Sequence, residues 1–124
     1  MKKYTTLEDL EIYKRAMDLG KFVYEMVSNW KHFDRDTLGK QVVRSADSVA
    51  ANIAEGYGRF HFGDKKLYGY YARGSLLETM TWLEKAHQRD LLNTDHYFAI
   101  SQNLKEFHLM LNVYIKAFKE NPIK

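Results

Sequence analysis

The chain has 124 residues, 45% of them hydrophobic, with one proline, seven glycines and no cysteine. That is enough for one domain burying roughly two-thirds of its unfolded surface, and it is not a disordered composition. Missing cysteine excludes disulfides, a thiolate nucleophile and cysteine-ligated zinc, and no apolar run approaches the ~20 residues of a membrane span. Nineteen basic and sixteen acidic side chains leave a net charge of +3 and a pI near 9.0, which admit an acidic partner without requiring one.

Lys2 and Lys3 are followed by Leu7-Glu-Asp-Leu-Glu rather than an apolar segment, so no export signal is expected, and a cysteine-free chain suits the cytoplasm. The first helix is expected over about 8–30. Its stripe is Ile12, Ala16, Leu19, Val23, Met26 or Val27, and Trp30, widened by Tyr13, Met17 and Tyr24. Thr5 with Glu8 fits a capping box, and Thr6 could replace Thr5. Asp34 is the expected N-cap of a second helix over about 35–55, stopped at Gly56.

That helix carries two stripes. Val42, Ala46, Val49 and Ile53 are apolar, whereas Ser45, Ser48, Asn52 and Glu55 form a polar stripe of mainly small residues. It either faces solvent or packs closely on another helix or chain, and in the second case Asn52 and Glu55 need partners.

Tyr57-Gly-Arg-Phe-His-Phe-Gly reads as the longest loop, and Asp64 as the cap of a third helix over about 65–90 with Leu67, Tyr71, Leu76, Met80, Leu83 and Ala86 or His87 on one side. Asn93-Thr-Asp turns the chain. Thr94 caps a fourth helix over about 95–120, with Tyr97, Ile100, Leu104, Phe107 or His108, Leu111, Tyr114 or Ile115, and Phe118 inward and Pro122 as its stop. Four long helices, short connections and no strand pattern predict an all-α, antiparallel up-down four-helix bundle, one domain over 1–124.

Leu7-Glu-Asp-Leu-Glu-Ile-Tyr-Lys-Arg-Ala-Met, Gln41-Val-Val-Arg-Ser-Ala-Asp-Ser-Val, Asn52-Ile-Ala-Glu-Gly-Tyr-Gly-Arg and Ala72-Arg-Gly-Ser-Leu-Leu-Glu together resemble the four-helix-bundle family that includes proteins encoded in intervening sequences of bacterial large-subunit ribosomal RNA genes. Family members often carry proline two residues before the Asn, where this chain has Ala50. The resemblance implies a four-helix protomer assembled into a ring-like homopentamer, nucleic-acid binding, and no established enzymatic activity. More distantly, the chain resembles the accessory protein of diversity-generating retroelements, which implies a reverse-transcriptase partner.

Up-down topology would put the N-terminus, the loop near residue 60 and the C-terminus at one end. Eight cations gather there (Lys2, Lys3, Arg59, Lys65, Lys66, Lys116, Lys119 and Lys124) against Glu8, Asp9, Glu55, Asp64 and Glu120, while the other end is slightly acidic. Phe60, His61 and Phe62 lie among these cations, and exposed aromatics beside Arg and Lys stack and neutralise single strands. The alternative is that the phenylalanines tuck into the bundle end. A loop centred near residue 60 also pairs Asp47 with Arg73 and Arg44 with Glu78, with Gly74 and Ser75 permitting close approach to Ser45 and Ser48.

Glu84-x-x-His87 has the spacing of a di-iron bundle ligand pair but lacks its second pair, so no metal or other cofactor is expected and His87 reads as a hydrogen-bonded structural histidine. Arg89 and His96 resemble a helical ribonuclease signature across the expected turn, which ranks third among the readings.

First is a non-enzymatic, homo-oligomeric nucleic-acid-binding protein, RNA preferred, using Lys2, Lys3, Arg59, His61, Lys65, Lys66, Lys116 and Lys119. Second is a structural or protein-interaction scaffold. On either reading Ser45, Ser48, Asn52, Glu55, Gly56, Gly58, Arg73, Gly74, Ser75 and Glu78 are the chain's structural signature, with some of Tyr68, Tyr70, Tyr71, Tyr97 and Tyr114 at a subunit interface.

Overall fold

The computed structural model describes residues 6–119. Thr5, Lys2, Lys3, Glu120, Pro122 and Lys124 fall outside them, so the expectations placed on those residues do too. Among the described residues there is no strand, and four helices have 18 or more residues: α1, Glu11–Ser28; α2, Lys40–Tyr57; α3, Phe62–Gln88; and α4, Thr94–Lys116.

The helix starts differ from the sequence expectation, each for a local reason. The first helix does not run through from Glu8: Leu7–Asp9 forms a separate 3-10 turn, closed by Thr6 donating its backbone N–H and hydroxyl to Asp9 Oδ2 at 3.0 Å each. Extended backbone at Leu10 then lets Leu7 and Leu10 both reach the core. Met17 and Tyr24, expected to widen the apolar band of α1, are exposed.

Asp34 is not an N-cap. It closes a short helical turn, His32–Asp34, that leads through a π turn, Arg35–Gly39, into α2 without a break. Gly39 serves a close approach there, since a Cβ on it would lie 2.7 Å from Val27 Cγ1.

Asp64 lies inside the first turn of α3, where its charge favours the helix N-terminus, and the N-cap position belongs to His61. In α4 the cap is Asn93, one residue before the expected Thr94: its Oδ1 accepts the His96 backbone N–H at 2.8 Å. The helix stops at Lys116, short of residue 120. Between α3 and α4, Asp90 takes φ 60°, and Leu91 N–H bonds Ala86 C=O (2.8 Å) while Asp90 N–H bonds His87 C=O (3.1 Å). This is a Schellman closure made with Asp instead of Gly.

α2 is the central element, packing most extensively on α3 and then on α1; α4 packs chiefly on α3. Its small residues explain the position. Ser45, Ala46, Val49 and Ala50 are buried together, so two neighbours can approach from different sides. Ser45 leaves the polar stripe to lie 2.8 Å from Thr79 Oγ1, a buried hydroxyl pair across α2 and α3. Gly56 sits within α2, where a Cβ would lie 2.9 Å from Tyr68 Cβ; it is a close-contact residue rather than the helix stop expected of it.

These contacts correct the register. Ser45 faces Thr79 and Gly56 faces Tyr68, so facing numbers sum to 124, one helical turn beyond the expected 120. Asp47 therefore does not pair with Arg73. Its Oδ1 lies 2.9 Å from where a Cβ on Gly20 would be, against α1, and Arg73 donates to Asn112 Oδ1 in α4 at 2.9 Å. Among the described residues no ion pair joins Arg44 to Glu78, and Gly74 has no neighbour that needs its missing side chain. At the other end Trp30 Nε1–H donates to Leu91 C=O at 3.2 Å, tying the two inter-helix connections together.

Candidate nucleic-acid interface

The expected seven-residue loop, 57–63, is a four-residue turn, Gly58 to His61, because α2 runs on to Tyr57 and α3 starts at Phe62. Its closure consumes two of the expected binding cations. Lys65, on the first turn of α3, donates to Tyr57 C=O (3.0 Å) and Gly56 C=O (3.5 Å) and lies 5.7 Å from the Tyr57 ring centre. A cation on the last carbonyls of α2 complements that helix end.

Arg59 donates to Glu55 Oε2 at 2.8 Å and Tyr68 Oη at 2.9 Å, with its guanidinium 4.9 Å from the Tyr68 ring centre. The bond to Glu55, then Tyr68, raises its pKa above the ordinary arginine value. Glu55 is exposed, so this side of the stripe faces solvent, and its carboxylate serves as the partner of Arg59.

What remains outward is the aromatic apex. Phe60 is 86% exposed, its ring edge-on to His61 at 5.0 Å. Phe62, at 42%, tilts against Phe118 at 6.4 Å, and Phe118 in turn meets Tyr114 edge-on at 4.8 Å. The two phenylalanines therefore divide between the two expectations. The Phe62–Phe118 contact also brings the end of α4 to the turn; Lys116 and Lys119 are exposed at that end, and Lys66, one turn after Phe62 on α3, is partly exposed. Tyr114 is half-buried; burial, then Tyr57, pushes its phenol pKa up.

The architectural signature does not gather into one site. Ser48 Oγ–H bonds Arg44 C=O (2.8 Å) and Asn52 Nδ2–H bonds Ser48 C=O (2.9 Å), so both amide and hydroxyl are satisfied within α2. Ser75 C=O accepts from Thr79 Oγ1 at 2.8 Å; Glu78 is exposed. Gly58 caps α2 with ordinary negative φ, and Arg73 leans 5.1 Å over the Tyr70 ring.

His87 is partly buried, stacked on Tyr97 (4.4 Å between centres, 3° between planes), with Nε2 3.2 Å from Thr94 Oγ1. Among the described residues no group of three or more His, Asp or Glu side chains is placed to hold a metal. Arg89 and His96 line separate clefts, the second bordered by Glu11 and Arg15 of α1. His96 Nδ1 lies 3.1 Å from Asn93 Nδ2, within the cap of α4.

Two features escaped the sequence reading. One is a groove of about 790 Å³ between α3 and α4, where Leu77 and Phe98 are exposed beside Met80 and Tyr97. The other is a cleft of about 420 Å³ in which Trp82 is surrounded by Lys40, Arg44, Lys85 and Arg89. Trp82, Lys85 and Arg89 recur at three and four residues, a helical spacing that puts them on one face. Counting charge by bundle ends hid this, because Asp36 is the one acid among the residues that line the cleft.

The sequence matches the 23S rRNA-intervening sequence protein family over residues 8–113. The chain belongs to that family. Among solved structures it is similar to a protein of unknown function from the S23 ribosomal protein family of Bacteroides thetaiotaomicron VPI-5482, with 21% identity, coverage of 85% of this chain and 98% of that one, and a TM-score of 0.75. At that identity the likeness concerns the helical fold alone. No curated protein matches the chain. No helix among the described residues is long and apolar enough to cross a membrane.

Proposed function

We propose that this member of the 23S rRNA-intervening sequence family is a non-enzymatic, homo-oligomeric protein of the cytoplasm that binds single-stranded nucleic acid, RNA in preference to DNA, through the turn between α2 and α3. The observation that carries the reading is Phe60, an almost fully exposed ring fixed at the apex of a rigid turn. With His61 beside it and Lys66, Lys116 and Lys119 on the adjoining ends of α3 and α4, the apex offers stacking and phosphate neutralisation together. Arg59 and Lys65 hold the turn in shape and are assigned to positioning. The family's link to 23S rRNA favours RNA.

The protomer is an antiparallel up-down four-helix bundle. The exposed α3/α4 groove with Leu77 and Phe98 supports self-association, for which a ring-like pentamer is the assembly the resemblance implies. The same groove favours the second reading, a scaffold that grips a protein partner.

Titration of fluorescent oligo-U and oligo-dT over a salt series tests the proposal. The triple change Lys66→Glu, Lys116→Glu, Lys119→Glu should weaken binding and flatten the log–log salt slope by about 2, at ~0.7 per lost single-strand phosphate contact. Binding indifferent to both salt and the triple change would overturn it. Light scattering on Leu77→Glu with Phe98→Glu should show the oligomer falling to the 14.7 kDa protomer.

A further inference from the structure

We propose that the Trp82 cleft is a phosphate-binding site, distinct from the Phe60 turn and not dependent on its role. Arg44 of α2 and Arg89 at the end of α3 are exposed, and together with Lys40 and Lys85 they bring four cations to one small concavity. Asp36, paired with Lys40 at 2.9 Å, is the one acid lining it; Glu78, one turn before Trp82 on α3, does not line it. Three cationic charges remain uncompensated by the lining, and their mutual repulsion favours an anion between them.

The indole adds an independent sign. Trp82 Nε1–H is buried and has no hydrogen-bond acceptor among the described residues. Trp30, the other tryptophan, donates its Nε1–H to Leu91 C=O. A buried donor without an acceptor carries an uncompensated desolvation cost, and an oxyanion in the cleft would remove it only by drawing the indole round to uncover Nε1. Arginine forks match phosphate oxygens in bidentate geometry, and a volume of about 420 Å³ is within the range of small-ligand sites.

The site extends sideways. An adjoining cleft of about 510 Å³ shares Lys40 and Arg44 and adds Arg35 of the π turn and exposed Tyr24 of α1. This continuity suits successive phosphates better than one isolated ion. The ligand chemistry is the phosphate group, carried by a nucleic-acid strand or by a free phosphate compound.

The protein's two tryptophans provide the readout, because its amide NMR spectrum contains two indole N–H signals. Titration with a uridine hexanucleotide and, separately, with inorganic pyrophosphate should move the Trp82 indole signal saturably and leave that of Trp30 in place. Response to the hexanucleotide alone assigns strand phosphates; response to pyrophosphate assigns free phosphate recognition. Arg44→Gln with Arg89→Gln should weaken the saturable response on the order of tenfold or more, the loss expected for charge-assisted bonds. An unchanged Trp30 signal in that variant reports an intact fold. The triple Glu variant at the Phe60 turn should keep the Trp82 response in full, so failure of either site is read separately. No movement of Trp82 with either probe, or movement that persists undiminished in the double glutamine variant, would overturn the site.

Discussion

Arg59 at the Phe60 turn and Arg44 in the Trp82 cleft are both exposed arginines at an end of α2, and they do opposite things. Arg59 is held by Glu55 and Tyr68, so its charge is spent on the geometry of the turn. Arg44 lines a cleft with three other cations, and no carboxylate pairs with it among the described residues. A tally of basic residues by region favours the turn, whereas the pairing of each cation favours the cleft as an anion site. What the turn keeps is aromatic: Phe60 has little to touch but solvent and His61. The turn is built to stack and the cleft to neutralise.

The largest effect should come from breaking the base of the turn. Gly56→Val would force a branched side chain against Tyr68 Cβ, where a Cβ alone would already lie at 2.9 Å. Neither Tyr68 Cβ nor the Lys65 carbonyl at 3.4 Å is the far end of a flexible chain. A loss of about 3 kcal/mol in urea unfolding is expected, the upper end for overpacking. At temperatures where the variant is folded, oligo-U binding through the turn should drop while the Trp82 indole still responds to pyrophosphate. Loss of both together would show that the two regions are one coupled unit.

Phe60→Ala separates stacking from stability. The ring is so exposed that its removal should change stability by no more than about 0.5 kcal/mol. Removing one stacked base should weaken oligo-U binding by about 1–3 kcal/mol, roughly fivefold to a hundredfold, if the ring is the platform. The pyrophosphate response at Trp82 should not change. Equal oligo-U affinity in the two proteins would remove the turn's claim to stacking and leave the cleft as the main contact.

Between the two regions lies the hydroxyl pair of Ser45 and Thr79, which fixes the register that joins them. Thr79→Val keeps the side-chain shape and removes one buried hydroxyl, at a cost of about 1 kcal/mol. Ser45→Ala added to it should cost less than the sum of the single changes, as expected for residues in contact. Full additivity would mean that the pair does not hold the register.

Most of the architecture was legible because the apolar stripes of α1 and α2 repeat cleanly: Ile12, Ala16, Leu19, Val23 and Val27, and Val42, Ala46, Val49 and Ile53, are all buried. The register was not, because it depends on Gly56 meeting Tyr68, and a glycine near a helix end reads equally as a stop. One turn of error was enough to create two ion pairs that do not exist and to send Arg73 to the wrong helix. The short turn misled for the same reason: Asp64 resembles a cap in sequence, whereas Lys65 on the α2 carbonyls lets α3 start three residues earlier. The cleft was legible only as a spacing on α3, and Lys40 and Arg44 joined it through the fold.

The smallest effects are in pH dependence, and they separate the two regions by sign. In the cleft, hydrogen bonding and charge from Lys40 hold the Asp36 carboxyl below its ordinary value. A lowered folded pKa means that its contribution is present above the ordinary aspartate range and is lost as pH falls through the lowered value. Lys40→Gln should return the Asp36 midpoint, followed by carboxyl-carbon NMR, toward the ordinary range. At the turn, burial raises the Tyr114 phenol. Its contribution is complete below the ordinary tyrosine value and is lost as pH rises through the raised one. Tyr114→Phe should therefore flatten the alkaline limb of a melting-temperature profile and leave the acid limb alone, while Lys40→Gln should alter the acid limb and leave the alkaline one. If each change moved both limbs, charge in one region would be felt in the other, and the two could no longer be treated as independent sites.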